Sequence, residues 1–414
     1  MRAVALVALI GSFAGVLRAD EASFDLDRAM ARGDRGVRAI VRRLAGEGLE
    51  GRDNGTPASD RAQELLIRKL RRIGAGANPA GAGDDAYRQS FVQAGQAGTN
   101  LLAVIRGREL PEEYVVVGAH YDHLDSRSLA SGACSRGYAP GGVICPGATD
   151  NAAGVGVVLG IGRALAKLPV PPRRSVVLAL WDAEEDGLLG SLHYVLDPLV
   201  PLDRTIAYVN LDIQGANLLP SLRRTSFAVG AETGGSALGA FVADAVAAVG
   251  LDTLPLSYIF GQGRSDYANF VERGRVPTVF FSDSTGGCYH TTGDRWRVVD
   301  RRKLAAQTRI ALHVTARLAE TAAPPAFRGP SPALATFADA RAILQVFARA
   351  QNDLALFPPA DRALLEQIQR DLAAVVDGGA AGFGPAQVGV VLNAALQGIG
   401  ALTRLPCQGF QARR

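Results

Sequence analysis

The chain has 414 residues, 48% of them hydrophobic and 20% charged, a globular composition long enough for one large core or two smaller ones. Wholesale disorder and collagen-like repeats are excluded. Lys and Arg number 44 against 40 Asp and Glu, and a net +4 spread over this length is too dilute for a nucleic-acid groove; Lys69, Lys167 and Lys303 are the lysines, so the positive charge is almost all Arg.

The chain opens with Met1-Arg2 and the apolar run AVALVALIGSFAGVL (3–17), followed by Arg18 and an acidic segment. This pattern reads as a secretory signal over residues 1–19, since roughly 15 apolar residues fall short of the ~20 that span a bilayer. No later segment is read as a stable membrane span, and the expected location is the periplasm or the exterior. Cys134, Cys145, Cys288 and Cys407 suit an oxidising compartment and allow three pairings, of which Cys134 with Cys145, inside one Gly/Ser-rich loop, is favoured.

Apolar spacing predicts helix over 36–74, interrupted by a Gly-rich turn, and a loop over 74–86. Strands are expected at 100–105, 114–119, 175–181, 205–211, 226–230 and 277–281, and helices at 151–168, 186–196, 236–249 and 300–319. Most of the strand runs are continuously apolar, which requires cover on both faces. The expectation is therefore α/β, an α/β/α sandwich around a central mixed, mostly parallel β-sheet. A Pro-rich linker (321–334) separates this 20–320 domain from a C-terminal helical extension (335–414) with helical patterns at 335–356, 359–377 and 385–403. The extension is expected to pack as an appendage dispensable for chemistry, because the reactive candidates all precede residue 295.

Those candidates sit at strand ends. YVVVGA runs into His120-Tyr121-Asp122-His123, SVVLALW into Asp182-Ala183-Glu184-Glu185, and TIAYVNL into Asp212. In open α/β sheets the carboxyl edge is where ligands bind, so three separate strands deliver acids or a His to one place. GATDN (147–151) and YHTTGD (289–294) add Asp150 and His290. A His and carboxylate mixture is the donor set of zinc, or of two such ions bridged by a carboxylate. Gly154, Gly156 and Gly160 do not make a dinucleotide fingerprint, because no strand precedes them.

HYDHLD, GATDNAAG, WDAEEDGLLGS, NLD and YHTTGD resemble, in order, the motifs of the co-catalytic zinc exopeptidases, the family of secreted bacterial aminopeptidases, glutamate carboxypeptidase II and glutaminyl cyclases. The resemblance covers about residues 45–320. It implies two zinc ions per chain, with His120 and Asp212 on one, Glu185 and His290 on the other, and Asp150 bridging. It also implies Glu184 as the base acting on a metal-bridging water, Asp122 as the group orienting His120, and Tyr289 as support for the oxyanion. Peptides with a free amino terminus are the expected substrates. A carboxypeptidase or dipeptidase of the same family is the nearest alternative, and a glutaminyl cyclase or a non-catalytic binding module stands further off. His193 and His313 are read as packing residues, and His123 is left unassigned. Tyr267 in GRSDYANF stands where the family usually has His, leaving Arg264 and Asp266 as possible pocket residues. The oligomeric state and the preferred terminal residue are not legible.

Overall fold

A strand that is apolar along its whole length is stable only when both faces of its sheet are covered. The computed structural model, which describes residues 36–77, 85–136 and 143–407, meets that demand in an unforeseen way; the expected signal at 1–19 lies outside the described residues. After helices α1 (residues 36–44) and α2 (Pro57–Ile73) come strands β1 (Gly76–Ala77), β2 (Arg88–Gln93), β3 (Gln96–Ile105) and β4 (Leu110–His120). Helices α3 (Ser126–Ser131) and α4 (Ala153–Leu165) lead to β5 (Arg174–Trp181), α5 (Leu189–Leu196), β6 (Thr205–Leu211), β7 (Thr225–Val229), α6 (Gly235–Val249), β8 (Asp252–Leu256), α7 (Tyr267–Glu272), β9 (Thr278–Ser282) and α8 (Arg301–Glu320). Helices α9 (Phe337–Ala350), α10 (Pro359–Asp377) and α11 (Pro385–Thr403) follow the Pro-rich stretch.

The strands form one sheet in the order β1-β3-β5-β4-β6-β9-β7-β8, with β2 paired to β3. Its centre, β5-β4-β6-β9, is parallel, while β3 runs antiparallel to β5 and β7 antiparallel to β9. The fold is thus the expected mixed sheet flanked by helices. Three strands escaped the sequence reading for local reasons: β1 is two residues long and falls in the expected loop over 74–86. β2 is a mostly polar strand in a hairpin with β3, and β8 carries Pro255, which an edge strand tolerates because its missing N–H faces no neighbour.

Alternation along the strands divides the core in two. Val115, Val117, Leu178 and Val209 face α1, α2, α4, α6 and α8. Val116, Val177, Trp181, Tyr208, Phe227 and Phe280 face the other way. Of the helices expected to give cover, only α5 lies on that second face, and with α7 it supplies just 8 and 6 residues. The rest is covered by the C-terminal helices: Ile343 and Phe347 of α9, Leu365 and Leu372 of α10, and Val391 and Leu402 of α11 join the same buried cluster. Helix α9 is fixed at its start by a capping box between Thr336 and Asp339, and Asp339 also accepts hydrogen bonds from Ser257 N and Oγ, both at 2.7 Å. The extension is therefore one layer of the sandwich, which apolar periodicity alone could not assign to a face.

Helix α11 has 19 residues without a charge and is, by length and composition, apolar enough to cross a membrane. In the fold Val391, Ala394, Ala401 and Leu402 are buried in the cluster shared with α9 and α10.

Candidate active site

The carboxyl edge of the parallel strands gathers the predicted residues. His120 ends β4, Glu184 and Glu185 follow β5 after one turn, and Asp212 follows β6. Asp150 is brought in by the segment before α4, which Asp294 of YHTTGD holds in place. The Asp294 carboxylate accepts Thr149 N and Oγ1 at 3.0 and 2.9 Å and Asp150 N at 3.1 Å. His290 comes from the same stretch as Asp294, its ring stacked on Tyr289 at 3.8 Å.

The side chains form two donor groups that share one residue: His120, Asp150 and Asp212, and His123, Asp150, Glu185 and His290. His120 Nε2 lies 3.2 Å from Asp150 Oδ1 and 3.4 Å from Asp212 Oδ1. His290 Nε2 lies 3.2 Å from Asp150 Oδ2 and 3.1 Å from Glu185 Oε2, yet makes a well-formed hydrogen bond to neither. A buried ring nitrogen aimed between two carboxylate oxygens fits a metal ion at their focus, and the His and carboxylate chemistry fits zinc. Asp122 Oδ1 stands 3.5 Å from His120 Nδ1, and its Oδ2 accepts Glu185 N at 3.2 Å, so this one carboxylate touches residues of both groups.

The two adjacent glutamates are set apart by their surroundings. Burial, together with the charges of Asp212, Glu185 and Asp266, pushes the Glu184 carboxyl well above its ordinary value against the pull of His120. Burial and Asp150 act the same way on Glu185, but His123 and His290 outweigh them and bring it down to about 2. Burial disfavours charge on His290, and Asp150 and Glu185 reverse this, raising it to about 10.

Three contributors went unassigned in the sequence. His123 Nδ1 lies 2.6 Å from Glu185 Oε1, the carboxylate oxygen that His290 does not face. Asp294 clamps the Asp150 backbone as described. Arg52, fully buried, donates to the carbonyls of Tyr121 (2.5 Å), Pro146 (2.7 Å), Gly147 (2.8 Å), Leu44 (3.3 Å) and Asp150 (3.4 Å), tying together the two segments that present His120 and Asp150. Burial lowers its pKa to about 10, while Asp122 and Asp150 act to raise it. The positions of His123 and Asp294 inside quoted motifs were the available signal; Arg52 had none, being one Arg among many. His193 stacks on Phe91 at 5.1 Å and His313 lies in α8, both outside the donor groups.

A pocket of about 130 Å³ opens on Asp150, Glu184 and Asp212. Arg264 and Tyr289 line it, with Arg264 Nη2 donating to the Tyr289 hydroxyl at 3.0 Å. Asp266 lies beneath the site, wholly buried and raised to about 7 by that burial. Tyr267 is also wholly buried, stacked on Phe280 at 4.8 Å with its hydroxyl accepting Gly263 N, so the change from the usual His falls behind the pocket wall. Disulfides join Cys134 to Cys145 in the loop after α3, and Cys288 to Cys407 beside Tyr289.

Comparison with known proteins agrees with this fold. The probable glutamate carboxypeptidase LAMP1 of Arabidopsis thaliana is 31% identical over 206 residues, which are 47% of this chain and 27% of that protein, so the chain spans about a quarter of that relative. Among solved structures, the LapA aminopeptidase of Legionella pneumophila superposes with a TM-score of 0.55 at 17% identity, covering 72% of this chain and 75% of that one. The glutaminyl cyclase of Porphyromonas gingivalis gives 0.54 at 18%, covering 68% and 96%. Residues 100–315, more than half of the chain and holding every donor named above, match Peptidase family M28, and the chain belongs to that family.

Proposed function

We propose that the chain is an exported dizinc exopeptidase that removes amino-terminal residues from peptides. The observation that carries this reading is the position of Asp150, which offers Oδ1 to the His120 and Asp212 group and Oδ2 to the His290 and Glu185 group. His120, Asp212 and Asp150 would hold one zinc, and Glu185, His290 and Asp150 the other. Bound zinc would supply Lewis acidity, polarising the scissile carbonyl and lowering the pKa of a water to about 7.

The chain's own groups do the rest. Glu184, whose Oε2 lies 4.0 Å from His120 Nε2, takes the proton released by water and returns it to the leaving amine. The Asp122 backbone carbonyl, 3.2 Å from His120 Nδ1 with the Asp122 carboxylate at 3.5 Å, keeps the His120 proton on Nδ1, leaving Nε2 free to ligate. The Tyr289 hydroxyl, held by Arg264, supports charge developing on the carbonyl oxygen. A pocket of about 130 Å³ would accept one terminal residue, which supports exopeptidase over endopeptidase action. Two disulfides suit the proposed export.

Arg264 also supports a second reading, a carboxypeptidase in which this guanidinium receives the substrate carboxylate. Metal-replete protein offered peptides blocked at either end separates the two: cleavage that requires a free amine supports the first, and cleavage that requires a free carboxylate supports the second. Metal analysis should give two zinc ions per chain, and a value never above one in excess zinc would overturn the dizinc site.

A further inference from the structure

We infer that the C-terminal helices form the specificity wall of the active-site pocket, selecting peptides whose terminal residue carries a large uncharged apolar side chain; this rests on the exopeptidase reading above. The pocket has two unlike ends. Asp150, Glu184 and Asp212 form one, and the other is bounded by Phe227 and Phe280 from the sheet and by Phe347, Ile399 and Leu402 from α9 and α11. The helices contribute no charged or hydrogen-bonding side chain to this wall, so a charged substrate side chain placed there would lose its hydration without a partner.

The wall is set in position relative to the reactive groups by two close approaches and a covalent bond. At Gly398 an added Cβ would lie 2.3 Å from Phe347 Cζ, so the absence of a side chain on α11 lets the Phe347 ring seat between the helices. At Gly287 an added Cβ would lie 2.1 Å from the Leu405 carbonyl oxygen, so the chain leaving α11 rests directly on the loop that carries Tyr289 and His290. The Cys288–Cys407 disulfide closes the same contact, with the two Cα atoms 4.4 Å apart. The far end of the extension is thus tied one residue away from Tyr289, which makes the distance from wall to scissile bond a property of the fold.

The test uses the full, metal-loaded chain and two substrate series, one with a free amine and one with a free carboxylate, each carrying Ala, Leu, Phe or Glu at the terminal position. Wild type should favour Leu and Phe over Ala by at least roughly 10-fold in kcat/KM, with Glu poorest. Ile399→Trp, which fills the pocket, should lower kcat/KM for Leu and Phe by at least roughly 10-fold while moving Ala by less than about 3-fold. Phe347→Ala should shift the preference toward bulkier side chains, and Leu396→Ser, at a position 66% exposed on the same helix, should change nothing. Equal losses on all substrates from Ile399→Trp, with zinc content unchanged, would overturn the wall. Turnover confined to the free-carboxylate series would overturn the aminopeptidase reading instead, and the wall is then judged by the same ratios in that series. If neither series is cleaved, calorimetric binding of leucinamide and alaninamide decides: tighter leucinamide that Ile399→Trp abolishes supports the wall, and equal affinities overturn it.

Discussion

The two ends of the active-site pocket were built under different demands. The polar end places five donors from five segments within a few ångströms, and each position requires His, Asp or Glu, with His120, Glu185 and Asp212 at strand exits. The apolar end requires only that volume be filled, and Phe347, Ile399 and Leu402 could be exchanged for other hydrophobic residues without breaking a pattern. Chemistry that needs particular atoms leaves short, ordered motifs; chemistry that needs bulk leaves periodicity and nothing more. The polar end should therefore fail abruptly on single substitutions, and the apolar end should respond by degrees.

The largest effect is expected at the shared ligand. Asp150→Ala should lose both metals and all turnover, since this residue faces both donor groups. Glu184→Gln should keep both metals and lose at least about 100-fold in kcat, the scale of lost acid and base catalysis. Glu185→Gln should instead lose one metal and regain part of its activity in excess zinc. Loss of metal from Glu184→Gln together with two retained ions in Glu185→Gln would reverse the two roles.

Next come the supports behind each end. Arg52→Ala leaves buried carbonyls without a donor, and a loss of at least about 3 kcal/mol in unfolding free energy is expected from denaturant titration. A chain ending at Thr321 strips cover from Phe227, Phe280 and their neighbours, and it should lose cooperative unfolding and bind dyes that report exposed apolar surface. Cooperative unfolding in that shortened chain would show that the catalytic layers stand without the extension.

Much of the polar end was legible. The strand runs and their exits located His120, Asp122, Glu184, Glu185 and Asp212, the motifs GATDN and YHTTGD added Asp150 and His290, the family resemblance added Tyr289, and the fold draws all of them to one edge. Arg52 was illegible because its role is to satisfy carbonyls contributed by distant segments, and backbone acceptors have no sequence signature. The face covered by α9 and α11 was illegible because a helical apolar stripe says that something is buried and not against what. Counting cover would have narrowed it: α4, α6 and α8 pack on one face, and α5 and α7 are too short to close the other.

The disulfides sharpen the contrast between the two ends. Cys134–Cys145 closes a separation of 11 residues on the polar side, and Cys288–Cys407 one of 119 that ties down the apolar wall. Because the restriction of the unfolded chain grows with the logarithm of loop length, replacing the long bridge with serines should cost about 2 kcal/mol more than replacing the short one. Equal losses from the two double variants would mean that local packing, rather than chain restriction, sets both values.

The smallest effect concerns a carboxyl outside the pocket. Burial, reinforced by Asp125 and opposed by Arg127, raises Asp53 to about 6 from 3.8, so the folded state favours its protonated form. The stability this contributes is fully present below the unfolded value near 3.8 and is lost as pH rises through about 6. Asp53→Asn removes the ionisation while keeping an oxygen that can accept from Arg127, which donates to Asp53 Oδ2 at 2.9 Å. The urea midpoint of the variant relative to wild type should accordingly move in the variant's favour between about pH 4 and pH 7.5 and stay level above that range, because Asp53 is by then fully ionised. Ile399→Trp, at the uncharged end, should show a constant offset over the same range. A level difference for Asp53→Asn, or one that moves toward wild type as pH rises, would show that the Arg127 contact outweighs the burial of this carboxyl.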